Sequence, residues 1–158
     1  MVHSIRIHDQ HWQTASPARR SDWRASIVDL RDTDSDPARE ALVVRADVDV
    51  VVLTLGEPPA QRDFPISVAA LTPLVTEYLQ VIHRMQTEEV AESSAKMQAL
   101  DMAKRVVHDR GARVVALAVP ELNASHETYR RLFTLVVSVV VDVTVLPGVR
   151  AHRKHVTY

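Results

Sequence analysis

The chain of 158 residues contains no cysteine and only three glycines. Without cysteine it can form no disulfide, thiolate nucleophile, iron–sulfur cluster or cysteine-ligated zinc site. Phosphate-cradling loops such as GxGxxG need several glycines close together, so nucleotide binding through those motifs is excluded. The N-terminus also lacks a basic segment followed by an apolar core, so it does not resemble a signal peptide. These absences favour a cytoplasmic protein and predict no cofactor.

A strong charge of one sign and a long apolar run are missing as well. The formal net charge is −1 and the predicted pI is near 6.7, which gives no electrostatic reason to expect nucleic acid as a partner. The most apolar stretch, residues 132–146, contains Asp142 and is shorter than the roughly 20 residues that a membrane-spanning helix needs. We therefore expect neither a nucleic-acid nor a membrane partner.

The composition that remains is that of an ordinary globular protein, with 46% hydrophobic and 25% charged residues. A chain of this length normally builds one hydrophobic core. The sequence predicts a single α+β domain over residues 1–149. Residues 150–158 are polar and mildly basic, and we expect them to form a mobile tail.

The first half of the chain alternates strand and helix signals. Residues 4–8 alternate apolar and polar side chains, which predicts a short strand. Ser16 and Pro17 are a helix-opening pair, followed by apolar residues at helical spacing. The Val-rich residues 42–55 carry a polar interruption, which predicts two strands, and residues 64–70 supply a third. The prediction is an N-terminal strand and helix followed by an antiparallel three-stranded meander.

One of these strands indicates self-association. Val50 to Leu53 are apolar at every position, which is typical of a strand covered on both faces. Either two layers of one chain, or a helix and a subunit partner, would cover it. We favour the partner and predict a homo-oligomer, most simply a homodimer.

The second half predicts three helices packed on the sheet. Thr72–Pro73 opens the first, and the second runs over about residues 94–110 with Gly111 as its C-terminal cap. Ser125 or Asn123 caps the last helix. Residues 137–145 are mostly β-branched and fit either a buried helix or a strand. We expect helix and then strand, which would add an extra C-terminal strand.

The second of these helices has two contrasting faces. Ala99, Ala103 and Val106 are predicted around one apolar arc, with the charged residues centred on the opposite arc. Those charged residues are Asp101, Arg105 and His108.

Three segments carry a family resemblance: Leu-Thr-Pro at 71–73, ALDMAKRVVHDRG at 99–111 and YRRLFTLVV at 129–137. Their motifs occur in the same order in the uncharacterised bacterial family UPF0262, which the chain resembles over most of its length. The resemblance implies a small bacterial cytoplasmic protein with an α+β fold, and it implies no reaction, cofactor or substrate. Family members carry arginines after the Thr-Pro, whereas this chain has residues 74–76, Leu-Val-Thr.

The best candidate site combines residues of the last two helices. Asp101, Arg105 and His108 lie in line along a helix, where they can bind an anion or pass a proton, or else form a surface ion pair and a helix-end histidine. Arg130 and Arg131 in the first turns of the last helix can hold a phosphate or carboxylate, or else one is solvated and the other pairs with a carboxylate. If the two helices pack side by side, His108 and the arginine pair line one pocket, with His126 at its rim.

Histidine pairs suggest a metal site as an alternative. His8 and His11, and also His152 and His155, have HxxH spacing. The first pair is predicted at a strand end, where residues three apart face opposite ways. No HExxH motif is present, so we predict no metal ligands.

No set of catalytic residues emerges, so the function is unknown from sequence. The favoured hypothesis is a non-catalytic homodimeric module that binds a protein partner or a small anionic ligand. The first alternative is a small enzyme with an anion-binding pocket built from Arg105, His108, Arg130 and Arg131, in which His108 is the general acid or base. The second alternative is a histidine-based metal-binding protein. A common pocket for His108 and Arg131 would favour the ligand and enzyme hypotheses.

Overall fold

The computed structural model describes residues 4–32, 40–86 and 94–145. The described ranges contain four strands and five α-helices, which confirms the α+β fold class. In chain order they are β1 (Ser4–Ile7), α1 (Asp9–Thr14), α2 (Pro17–Arg31), β2 (Ala41–Ala46), β3 (Val50–Leu55), β4 (Arg62–Ser67), α3 (Val68–Met85), α4 (Ser94–Ala118) and α5 (His126–Val140).

The sheet follows chain order, β1-β2-β3-β4. Strands β2, β3 and β4 form the predicted antiparallel meander, whereas β1 pairs in parallel with β2. A parallel pair needs a crossover connection, which α1 and α2 provide. The sheet therefore differs from the prediction in being mixed and four-stranded.

One face of the sheet packs against the helices and contributes to the hydrophobic core. Side chains alternate along each strand, so the residues that face the helices recur at every second position. Val51 and Leu53 of β3 are fully buried there and belong to the same hydrophobic core as helix residues such as Phe133 of α5. On the opposite face, Val52 is 7% exposed and pairs with Arg45 and Pro65 on its two sides. The homodimer predicted from these strands stays a prediction.

Helix α2 is locked to the end of α5 by hydrogen bonds from two side chains. Its start is as predicted, with the Ser16 side chain accepting a hydrogen bond from the Arg19 backbone N–H. The indole N–H of Trp23 donates to the carbonyl of Ser138 at 3.1 Å, and the Arg19 guanidinium donates to the carbonyl of Val139 at 2.8 Å. These carbonyls are among the last of α5 and have no partner within the helix, so α2 satisfies them.

The predicted start of α3 is wrong. The helix begins at Val68, directly after β4, and Pro73 lies inside it. Proline lacks an N–H, so the carbonyl of Ala69 receives no helical hydrogen bond from position 73. Burial outweighs this loss, because Leu71 is fully buried and Leu74 is 4% exposed on the core side of the helix.

The predicted end and apolar face of α4 are also wrong. The helix continues through Gly111 to Ala118, and its buried face contains Leu100, Val107, Gly111, Ala112 and Val115. Ala99 and Val106, predicted to face the core, are exposed. Glycine ends many helices, but here it lies where a Cβ would overlap the ring of Phe133. Gly111 is therefore a site of close helix packing rather than a cap.

The end of the described chain is helical where a strand was expected. Ser125 caps α5, which reaches Val140, and residues 143–145 form a 3-10 turn. Residues 135–139, three of which are valine, are all buried, and packing from all sides supports a helix there. The predicted C-terminal strand is wrong as far as residue 145, and the tail at 150–158 lies outside the described residues. In the described ranges, no helix is both long and apolar enough to span a membrane.

The histidines of the N-terminal pair lie together, contrary to prediction. The chain turns into α1 after His8, so the two rings are 5.9 Å apart. His8 Nδ1 accepts a hydrogen bond from the Gln10 N–H at 3.4 Å, and His11 Nε2 accepts from the Ala46 N–H at 3.1 Å. Each ring thus directs an acceptor nitrogen at the backbone rather than at a common metal ion. The second pair, His152 and His155, lies outside the described residues.

Replacing Gly111 by alanine should destabilise the protein by about 1–3 kcal/mol, because the new methyl group overlaps the Phe133 ring. Alanine is otherwise the better helix former by about 1 kcal/mol, so a loss of stability has a steric origin. Urea unfolding of Gly111→Ala, Phe133→Leu and the double variant measures this. The two losses should be clearly less than additive. Additive losses, or a stabilised Gly111→Ala variant, would contradict the close contact.

The His11 contact predicts a pH dependence of stability. Burial lowers the pKa of His11 from 6.5, with smaller effects from neighbouring His8, Arg19 and Arg45 and an opposing effect of Asp47. The neutral ring accepts the Ala46 hydrogen bond, and protonation breaks it. The unfolded chain therefore binds the proton first, and the free energy of unfolding should fall as the pH drops below about 6.5.

Urea unfolding at several pH values between about 5 and 8 tests this. His11→Gln, whose amide oxygen can accept the same hydrogen bond, should weaken the pH dependence. Replacing the exposed His83 of α3 by glutamine is the matched control and should leave the slope unchanged. An unchanged slope in His11→Gln would rule out the proposed origin.

Candidate functional site

A cavity of about 720 Å³ opens between α2, α4 and α5, with one side chain from α3. Its volume is in the range of small-molecule sites. It is lined by Arg24, Ala25, Ser26, Val28, Asp29, Tyr78, Asp101, Lys104, Arg105, His108, Glu127, Arg130, Arg131 and Thr134.

All five residues that the sequence singled out line this cavity: Asp101, Arg105, His108, Arg130 and Arg131. The side-by-side packing of α4 and α5 brings them together. His126, expected at the rim, is not among the lining residues. Its Nε2 lies instead 3.0 Å from Asp109 Oδ1.

Helical spacing explains the arrangement. Asp101, Arg105 and His108 are four and three residues apart, so they follow one line along α4. Because the core face of α4 is centred on Val107 and Gly111, this line lies at the border of the core rather than opposite it. On α5, Glu127 and Arg131 are likewise one turn apart and face the same cavity.

Positive charge dominates the lining. Five cationic side chains, of which four are arginines, face three carboxylates, so positive charge exceeds negative by two when His108 is neutral. The whole chain carries −1, so this excess is local. Concave walls of low dielectric strengthen the resulting field.

The two arginines of α5 are held by neighbouring groups. Arg131 Nε lies 3.0 Å from Glu127 Oε1, and its NH1 donates to the carbonyl of Asp29 at 2.8 Å. Arg130 NH1 lies 3.6 Å from Glu127 Oε2, and Arg130 Nε lies 3.3 Å from Asp109 Oδ1. The hydrogen bond with His126, and after it the charge of Arg130, lowers the pKa of Asp109. Both guanidinium groups are therefore fixed in place before any ligand binds.

Arg105 and Arg24 differ from the arginines of α5 in their contacts. Within the described ranges Arg105 makes no hydrogen bond or ion pair, so the alternative of an ion pair with Asp101 is not present. Arg24 has its guanidinium carbon 5.0 Å from the ring centre of Trp12, a cation–π contact. In the part of the chain that the structure describes, both cations therefore have hydrogen-bonding groups available to a ligand.

His108 is part of the cavity wall and not a helix-end residue. Because α4 continues to Ala118, His108 lies in the middle of the helix. Its ring is 5.2 Å from that of Tyr78 and 6.1 Å from that of Phe133, the second contact being edge-on. The neighbouring aromatic rings fix its orientation.

Several lining residues were not predicted. Lys104 precedes His108 by four residues, and Glu127 precedes Arg131 by four, so helical spacing contained a signal for both. Arg24 and Tyr78 come from distant helices, and their approach depends on tertiary packing. No local pattern identifies them.

Comparison with known proteins confirms the family resemblance. The sequence model described as Uncharacterised protein family (UPF0262) matches residues 1–142. The UPF0262 protein of Paracoccus denitrificans (strain Pd 1222) is 27% identical over 150 residues, which cover 86% of this chain and 93% of the relative. That of Jannaschia sp. (strain CCS1) is 25% identical over 143 residues, covering 84% and 92%.

No solved structure matches the chain significantly. The sequence match extends beyond the three motif segments, through both the N-terminal strand and α5. The chain therefore belongs to the uncharacterised bacterial protein family UPF0262.

Proposed function

We propose that this protein is a non-catalytic module that binds a small anionic ligand in the cavity between α2, α4 and α5. The excess of positive charge in one concave site supports this function most directly. A ligand with negative charge would offset the repulsion among the cations. It would also receive charge-assisted hydrogen bonds, which are the strongest of their kind.

Arg105 and Arg24 are the groups that we expect to contact the anion first. The α5 arginines already share Glu127, so their donors are partly occupied. Arg105 is exposed on the α4 wall and has no such competitor in the described structure. A carboxylate or phosphate can therefore bind Arg105 without displacing an existing ion pair.

A protein partner fits this site less well than a small molecule does, because the site is concave and drug-sized rather than flat. The enzyme is the second candidate, since His108 lines the same cavity and could transfer a proton to a bound anion. It shares the anion-binding step with the first proposal. Homodimer formation would be compatible with either function and stays a prediction.

Arg105→Ala should weaken anion binding by about tenfold or more, because a hydrogen bond to a charged group contributes roughly 1.5–3 kcal/mol. Binding is measured by thermal shift and calorimetry at low ionic strength with citrate, inorganic phosphate and phenyl phosphate, because salt screens these contacts. Arg113→Ala is the control: Arg113 is exposed on the same helix, two turns away and outside the cavity. Absence of binding to wild-type protein, or equal losses in both variants, would contradict the proposal.

Glu127→Gln should have the opposite effect. Removing this carboxylate leaves Arg130 and Arg131 with fewer competing partners and raises the net positive charge of the cavity. We expect the same anions to bind about threefold to tenfold more tightly, at a cost of a few tenths of a kcal/mol because Glu127 also interacts with the N-terminal dipole of α5. Calorimetry checks the affinity and urea unfolding checks the stability. Unchanged or weaker binding would show that Glu127 does not compete with the anion.

A further inference from the structure

We infer that the ligand of the cavity is an organic anion with a substantial apolar body, rather than an inorganic ion. This inference rests on the proposed anion-binding function and adds that the ligand carries an apolar body beside its anionic group. The cavity has cationic groups on α4 and α5, while part of its α2 wall is apolar. An anion carrying an apolar group matches both parts.

The apolar wall is formed by two neighbouring residues of α2. Ala25 and Val28 both line the cavity, and Val28 is 52% exposed. An exposed apolar side chain on a convex surface needs no explanation, but in a cavity it offers a surface that a ligand can remove from water. Ser26 and Thr134 complete the lining with uncharged groups.

Aromatic side chains extend this surface. Tyr78 and His108 line the cavity and lie 5.2 Å apart at an angle of 38°. Ring faces and edges of this kind make favourable contacts with flat apolar groups. Tyr78 is 9% exposed, so the area that it offers to a ligand is small.

The charges are placed so that they can hold such a ligand by its anionic end. Arg24 precedes Val28 by one helical turn, so a cation and the apolar wall share one side of α2. Arg105 belongs to α4, on the other side of the cavity. An anionic group between these cations would leave the rest of the ligand against Val28.

The size of the cavity supports the same conclusion. About 720 Å³ is typical of sites for ligands of drug size. Inorganic phosphate has only five heavy atoms and would leave most of this space to water. It would also leave the apolar wall hydrated, with no gain from its burial.

The test compares three probes by isothermal titration calorimetry: 1-naphthyl phosphate, inorganic phosphate and 1-naphthol. We expect 1-naphthyl phosphate to bind at least tenfold more tightly than either of the other two, because only it combines charge and apolar body. Equal binding of 1-naphthyl phosphate and inorganic phosphate would overturn the inference.

A matched pair of variants locates the apolar contact. Val28→Ser should weaken the binding of 1-naphthyl phosphate by about fourfold or more, which is the loss expected for each buried CH₂ group. The affinity for inorganic phosphate should change by less than about twofold. Val106→Ser is the control, because Val106 is 50% exposed on α4 and does not line the cavity. Equal effects of the two substitutions would overturn the assignment of the α2 wall.

The outcomes separate this inference from the function on which it rests. If inorganic phosphate binds as well as 1-naphthyl phosphate and Arg105→Ala weakens both, the protein binds anions but the apolar body is unnecessary. If wild-type protein binds neither phosphate, both proposals fail. If 1-naphthol binds as tightly as its phosphate ester, the cavity recognises the apolar group alone, and the proposal that it binds anions is wrong.

Discussion

The close approach of α4 and α5 at Gly111 and Phe133 is the constraint on which the rest of the structure depends. The absence of a side chain at Gly111 lets the Phe133 ring lie against the backbone of α4. One turn before Gly111, the His108 ring makes a T-shaped contact with the same ring. The spacing of the two helices at this contact also sets the distance between the charged line of α4 and the arginines of α5. Core packing and site geometry are therefore coupled through one ring.

The cavity shows how a chain of almost neutral charge can build a cationic site. Charged residues at helical spacing along α4 and α5 concentrate between the helices, whereas acidic residues elsewhere balance the total. Glu127 holds the arginines of α5 in position by ion pairs of moderate length. Preorganised cations lose less conformational entropy when they bind a ligand. The carboxylate that fixes them also competes with that ligand. Glu127 therefore orders the arginine side chains but lowers the affinity of the site for an anion.

Local sequence signals predicted the elements that depend on local chemistry. The strand alternation, the Ser16–Pro17 start of α2 and the Val-rich hairpin are all present in the structure. Gly111 and Pro73 were misjudged because both residues usually interrupt helices, and only tertiary packing keeps them inside one. The face of α4 was misplaced for a related reason: the helix is apolar on two sides, and periodicity does not say which side meets the core.

The candidate site also divides into residues that local sequence predicted and residues that only tertiary packing brings together. Helical spacing placed Asp101, Arg105 and His108 in one line and singled out the arginine pair at the start of the last helix, and the structure brings all five to one cavity. The α2 wall was not foreseen, since nothing in its sequence indicates which distant helix it approaches. The resemblance to the family was confirmed, but it added no chemistry.

The contact between Arg24 and Trp12 places a tryptophan next to a side chain of the cavity, so ligand binding can affect tryptophan fluorescence. The guanidinium group that faces the cavity also lies over an indole ring, and that ring is 6.0 Å from the ring of Trp23, the other tryptophan of the chain. Indole emission depends on the charge and polarity near the ring. Any ligand that draws Arg24 towards itself would therefore alter the intrinsic fluorescence, and the protein would report its own occupancy without an attached label.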